Sequence, residues 1–96
     1  MQRNQAIRKL RSLRPFLDRY HVKSVAVFGS VARNEARASS DIDIMVEFSQ
    51  SPGLDFVKLQ RELSEKFGRN VDLVTKPALH PLLKDRILGE AVYAYS

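Results

Sequence analysis

Two aspartates, Asp41 and Asp43, stand one residue apart, and the pair Gly29-Ser30 precedes them with ten residues between. Carboxylates at alternate positions of a strand project to the same side with backbones about 6.5 to 7 Å apart, so both can converge on one hard cation such as Mg2+. Like charges held about 4 Å apart repel by about 4 kcal/mol at an effective dielectric near 20, which gives a reason to pair them where a cation neutralises them. A glycine lacks the Cβ that would keep a phosphate from the backbone amides, and the start of a following helix favours negative charge. The Ser30 hydroxyl adds a donor to the same phosphate. Each half alone is ordinary, a strand end with solvated acids or a turn with its cap. Together they ask for a ligand that brings both phosphate and magnesium, which is a nucleoside triphosphate.

A third carboxylate would complete a two-metal site for in-line phosphoryl displacement. Asp72 is the candidate, because it interrupts the apolar run Val71-Asp72-Leu73-Val74. A charge inside such a run is expensive unless paired or metal-bound. Glu47 shares the alternation of Asp41 and Asp43 but lies further along. Arg33 and Arg37 fall in the ten-residue gap, where either could neutralise triphosphate charge. A solvent-facing side chain is the plainer reading for Arg37, and for Arg33 both readings stand. His21 and His80 lack paired ligand spacing and read as surface or capping residues.

These residues need a scaffold, and the pattern supplies one. Residues 2 to 20 carry Ala6, Ile7, Leu10, Leu13 and Leu17 at helical spacing, with Pro15 able to split the helix. Val22 to Phe28 reads as a buried strand running into the Gly29 turn, and Val31 to Arg37 as a short helix capped by Ser30. Asp41 to Phe48 is a strand with Ile42, Ile44, Val46 and Phe48 on one side and Asp41, Asp43, Met45 and Glu47 on the other. Leu54 to Phe67 is an amphipathic helix closed by Gly68, and Val71 to Thr75 a third strand. Pro81 opens a last helix through Leu88 that Gly89 ends, leaving Val92 to Tyr95 as an edge strand. The expectation is a single α/β domain over residues 1 to 96, a mixed sheet flanked by helices.

Composition narrows the classes. With 96 residues and 44% hydrophobic content the chain supports one globular domain, and no apolar run approaches a membrane span, so a cytoplasmic location is expected. Zero cysteines exclude disulfides, thiolate catalysis and Cys-based zinc sites. The net charge of +5 is concentrated in Arg3, Arg8, Lys9, Arg11, Arg14, Arg19 and Lys23, which face only Asp18 in the first 23 residues. Such a segment can meet nucleic acid, a triphosphate or an acidic protein. The segment lacks the regular alternation of aromatics with these charges that stacking platforms require, which disfavours direct nucleic-acid binding.

The run Phe28-Gly29-Ser30-Val31-Ala32-Arg33-Asn34-Glu35-Ala36-Arg37, then Ser40-Asp41-Ile42-Asp43-Ile44 and Val71-Asp72-Leu73-Val74, resembles the minimal nucleotidyltransferase (MNT) family of the DNA polymerase β superfamily. The resemblance covers nearly the whole chain. It implies a polymerase β palm-like fold, two Mg2+ ions held by Asp41, Asp43 and Asp72, and ATP as substrate, its phosphates gripped by Gly29 and Ser30 with Arg33 beside them. It further implies an antitoxin paired with a HEPN-domain ribonuclease toxin, silencing that partner by moving AMP onto one of its tyrosines. One departure is Asn34, where the family usually carries Gly. Asn tolerates left-handed backbone angles better than most residues, so the turn is expected to survive.

The leading expectation is therefore an Mg2+-dependent protein adenylyltransferase in which Asp72 also helps deprotonate the acceptor hydroxyl. The alternative is a non-catalytic antitoxin that neutralises its toxin by covering it. Retention of Ser30 and all three acids favours the enzyme. No base-reading motif identifies the nucleotide.

Overall fold

The computed structural model describes all 96 residues. Its chain order is α1 (Arg3–Ser12), α2 (Arg14–Arg19), β1 (Val22–Phe28), α3 (Gly29–Ala32), β2 (Ile42–Phe48), α4 (Asp55–Phe67), β3 (Val71–Thr75), α5 (Pro81–Glu90) and β4 (Val92–Tyr95). A 3-10 turn at Lys76–Ala78 leads from β3 towards α5. The four strands form one sheet in the order β3-β2-β1-β4. β1 runs antiparallel to both neighbours, whereas β2 and β3 are parallel, so the sheet is mixed as expected.

Alternation decides which side of the sheet each residue occupies. Val25 and Val27 of β1, Ile42, Ile44 and Val46 of β2, and Val71 and Leu73 of β3 face one side, where α1, α2 and α4 bring Ile7, Leu10, Leu17, Leu59 and Leu63 onto them. These residues belong to a single core of 19 buried residues. On the other side the buried apolar residues of the sheet are only Ala26, Phe28 and Met45, covered by Leu79 and fringed by Ile87 and Leu88 of α5. Helices thus seal one face, and the other stays open enough to carry charge.

Local signals account for most boundaries. Leu13 separates α1 from α2, and Pro15 lies in the first turn of α2, where a missing N–H costs nothing. Gly68 terminates α4 at φ 66°, the left-handed cap the sequence suggests. Gly89, by contrast, does not stop α5, which continues through Glu90 and ends at the extended Ala91. His80 caps α5 by accepting the Leu82 amide on Nδ1 at 3.2 Å. No helix is long and apolar enough to cross a membrane.

Several of the N-terminal cations serve internal contacts. Arg3 donates to the Ala32 carbonyl at 3.2 Å and Arg11 to the Ala94 carbonyl at 2.8 Å. Lys9 lies 5.3 Å from the centre of the Phe67 ring and Arg14 lies 4.3 Å from that of Tyr95. The basic segment is accordingly as much a clamp on the fold as a solvated charge.

Candidate active site

The register of three strands assembles the site. Asp43 of β2 lies opposite Phe28 of β1 and opposite Asp72 of β3. Paired residues in neighbouring strands project to the same side, so Asp43 and Asp72 share the open face. Asp41 comes one residue before β2, is exposed, and is not fixed by the ladder. Its charge nonetheless reaches Asp43. Burial pushes the Asp43 carboxyl up to about 6, and the negative charges of Asp72, Asp41 and Glu90 push the same way while Arg33 opposes them.

Asp72 is itself exposed on the edge strand β3. The burial cost expected from its apolar neighbours is therefore not what marks it; the register opposite Asp43 does. Glu47 is accounted for separately, because it accepts the Ser24 hydroxyl at 2.9 Å and so belongs to a contact further down the sheet.

The phosphate half begins where β1 ends. Gly29 has φ 69°, a left-handed angle that favours glycine. A Cβ there would run into Oδ2 of Asp43, so the glycine brings the turn directly against the metal-binding carboxylate candidate. The following helix differs from expectation. It starts at Gly29 rather than Val31, its N-cap is Phe28, and it ends after one turn at Ala32. Ser30 therefore lies inside the turn, leaving its hydroxyl free of a capping role. Asn34 takes φ 57° as the resemblance requires of that position, and its Oδ1 accepts the Arg3 amide at 2.8 Å. That bond ties the loop to α1.

Arg33 sits beside the loop but is engaged. Its Nη1 donates to Glu90 Oε2 at 2.8 Å and its Nε to Glu35 Oε2 at 3.3 Å. Arg37 is exposed, its amide donating to the Ser40 hydroxyl at 2.9 Å. Glu90 is the residue that sequence reasoning missed. Its other oxygen, Oε1, accepts the Gly29 amide at 3.0 Å. Burial acts to raise the Glu90 carboxyl, but the Arg33 guanidinium and the Gly29 amide outweigh it and hold the group below the usual carboxylate range. A signal was available: an acid in the last turn of a helix opposes the macrodipole, and α5 has no basic residue there to offset it.

The donor chemistry suits magnesium, since the hard carboxylates of Asp43 and Asp72 share a face beside Gly29, which has no Cβ. As they stand, no group of three acids or histidines is gathered closely enough to hold a metal ion. Asp43 and Asp72 thus share one side of the sheet and Asp41 lies just before β2, without the three closing into a cluster. The surface hollows lie elsewhere, as at Phe16, Tyr20 and Glu62, or at Ser51, Pro52 and Phe56, so the acidic face is an open shelf rather than a pocket.

Sheet order, loop and acidic shelf together define a nucleotidyltransferase domain, and the family model of that description matches residues 7–94; the chain belongs to this family. A relative from Methanocaldococcus jannaschii, bearing the name of a protein adenylyltransferase, is 52% identical over 83 residues, covering 85% of this chain and 89% of its own. The protein adenylyltransferase MntA of Thermococcus cleftensis is 40% identical over 77 residues, covering 79% of this chain and 78% of its own. Among solved structures, one described as a minimal nucleotidyltransferase superposes with a TM-score of 0.79 at 34% identity, covering 96% of this chain and 95% of that one. A toxin-antitoxin structure with AMP-PNP gives a TM-score of 0.72 at 22% identity, covering 100% of this chain and 74% of that one, a likeness of fold.

Proposed function

We propose that this protein is an Mg2+-dependent adenylyltransferase that moves AMP from ATP onto a tyrosine hydroxyl of a partner HEPN ribonuclease toxin, and so acts as its antitoxin. The observation that carries the reading is the placement of Gly29 directly against Asp43, with Asp72 opposite Asp43 in register. The names of the relatives point to adenylyl as the transferred group and to protein as the acceptor.

Asp41, Asp43 and Asp72 would hold the metal, which supplies neutralisation of the phosphate charge. Gly29, Ser30 and Arg33 take the tail of the triphosphate, orienting the α-phosphorus over the acidic shelf. The acceptor oxygen attacks that phosphorus, the bond between the α-phosphorus and the bridging oxygen breaks, and pyrophosphate leaves. In this reading Asp72, exposed at the sheet edge, takes the acceptor proton. An open shelf leaves the exposed Asp72 within reach of a protein acceptor.

The test is to incubate the protein with labelled ATP, Mg2+ and the product of the neighbouring gene, alongside an Asp41→Asn/Asp43→Asn variant. Label on a partner tyrosine that vanishes in the variant supports the reading. The second reading, an antitoxin that neutralises by covering, is favoured by the occupied state of Arg33. Neutralisation with no label from either protein would establish it instead.

A further inference from the structure

One side chain takes up two of the three groups assigned to the triphosphate tail, Gly29 and Arg33, and leaves Ser30 free of it. Glu90 reaches back from the end of α5 so that Oε1 receives the Gly29 amide at 3.0 Å and Oε2 receives the Arg33 guanidinium at 2.8 Å. A carboxylate bridging a backbone N–H and a guanidinium presents two anionic oxygens to the pair of groups that a phosphate would engage. Building on the nucleotide reading above, we propose that Glu90 is an internal stand-in for phosphate, which seats in the loop and must be displaced before a polyphosphate tail can enter.

Three observations favour a displaceable group over a permanent strut. Glu90 lies at the negative end of a helix that has no basic residue in its last turn. It also adds to the negative charge already crowding Asp43, so an incoming metal-bound tail would gain what Glu90 forfeits there. Finally, α5 contains no fully buried residue and the Glu90 side chain keeps 19% of its surface exposed, so an outward turn has solvent to enter. The consequence is selectivity for ligands whose tail phosphates compete for this seat. A ligand that ends at the α-phosphate does not reach it and gains nothing from its clearance.

Binding of ATP, pyrophosphate and AMP should be measured by calorimetry on the wild-type protein, Glu90→Gln and Glu90→Asp, with thermal unfolding as a check of folding. Removing the competing charge is expected to tighten ATP and pyrophosphate by about tenfold, the size of one charge-assisted hydrogen bond no longer displaced, and to leave AMP unchanged. Glu90→Asp keeps the charge but shortens the reach, and should move affinity in the same direction. Equal or weaker ATP binding by both variants overturns the proposal and makes Glu90 a strut. The nucleotide reading fails separately, if Arg33→Gln and Ser30→Ala leave ATP binding of the wild-type background untouched or if no protein in the series binds ATP; the stand-in falls with it.

Discussion

The two faces of the sheet are built on opposite principles. Beneath three helices, one face contributes to a core of 19 buried residues. The other buries four, and beside them stand Asp43, Asp72 and the Gly29 turn. Apolar burial stabilises a small domain, and a domain of this size has little stability to spare. Crowded carboxylates work against folding. The comparison teaches that stability and chemistry are separated by the period-two alternation of the strands, with Ile42 and Ile44 on one side of β2 and Asp43 between them on the other.

Substitutions on the two faces should therefore part company. The largest effect on folding is expected from Leu63→Ala, which empties a fully buried site in the helix-packed core and should cost about 2 to 5 kcal/mol in urea unfolding. Gly29→Ala comes next. Its side chain meets the Asp43 carboxylate from a backbone at φ 69°, so stability should fall by about 1 to 2 kcal/mol while AMP transfer falls on the order of 100-fold. A variant that transfers AMP normally would show that the loop does not need its close approach to Asp43.

Asp43→Asn should reverse the sign on stability. The Asp43 carboxyl is pushed up to about 6 from an ordinary value of 3.8, so the folded protein holds its proton more tightly than the unfolded chain does. Between roughly pH 4 and pH 6 the native state binds more protons, and stability from this group is lost as pH rises through that window. With the group half-buried and partly screened, the asparagine variant should gain about 1 kcal/mol at pH 7, or several degrees in melting temperature, and lose transfer. Melting curves of both proteins from pH 4 to 7 check this, and a variant less stable than wild type at pH 7 would count against it. The smallest effect belongs to the loop anchor. Asn34→Ala loses both a tolerated left-handed angle and the Arg3 bond, for about 1 kcal/mol, whereas Asn34→Gly keeps the angle and should lose about half of that.

The sealed face was the more legible in sequence. The strand Val71–Thr75 has the limits its residue pattern suggests, and the Gly68 cap and the split near Pro15 fall where side-chain chemistry puts them. Such features are local, set by residues a few positions apart. The open face depends on distant pairs. Gly29, Ser30, Asp41, Asp43 and Asp72 stand out as candidates because their types are chemically unusual together, but Glu90, 61 residues from Gly29, looks in sequence like a routine helical acid. Gly89 read as a stop because glycine often is one, yet α5 runs through it until Glu90 meets its partners. Asp72 stands out in sequence for a burial cost it does not bear, and its place opposite Asp43 comes from the register of a parallel pair that no local pattern encodes.

The central claim is that Asp43 and Asp72, from neighbouring strands, serve one cation beside the Gly29 loop. Calorimetric titration of Mn2+ in the presence of a non-hydrolysable ATP analogue tests it most directly, comparing the wild-type protein with Asp72→Asn. The account predicts that the single substitution at the sheet edge weakens Mn2+ binding by at least roughly tenfold while melting behaviour is kept. Unchanged Mn2+ affinity in a folded Asp72→Asn protein would contradict it.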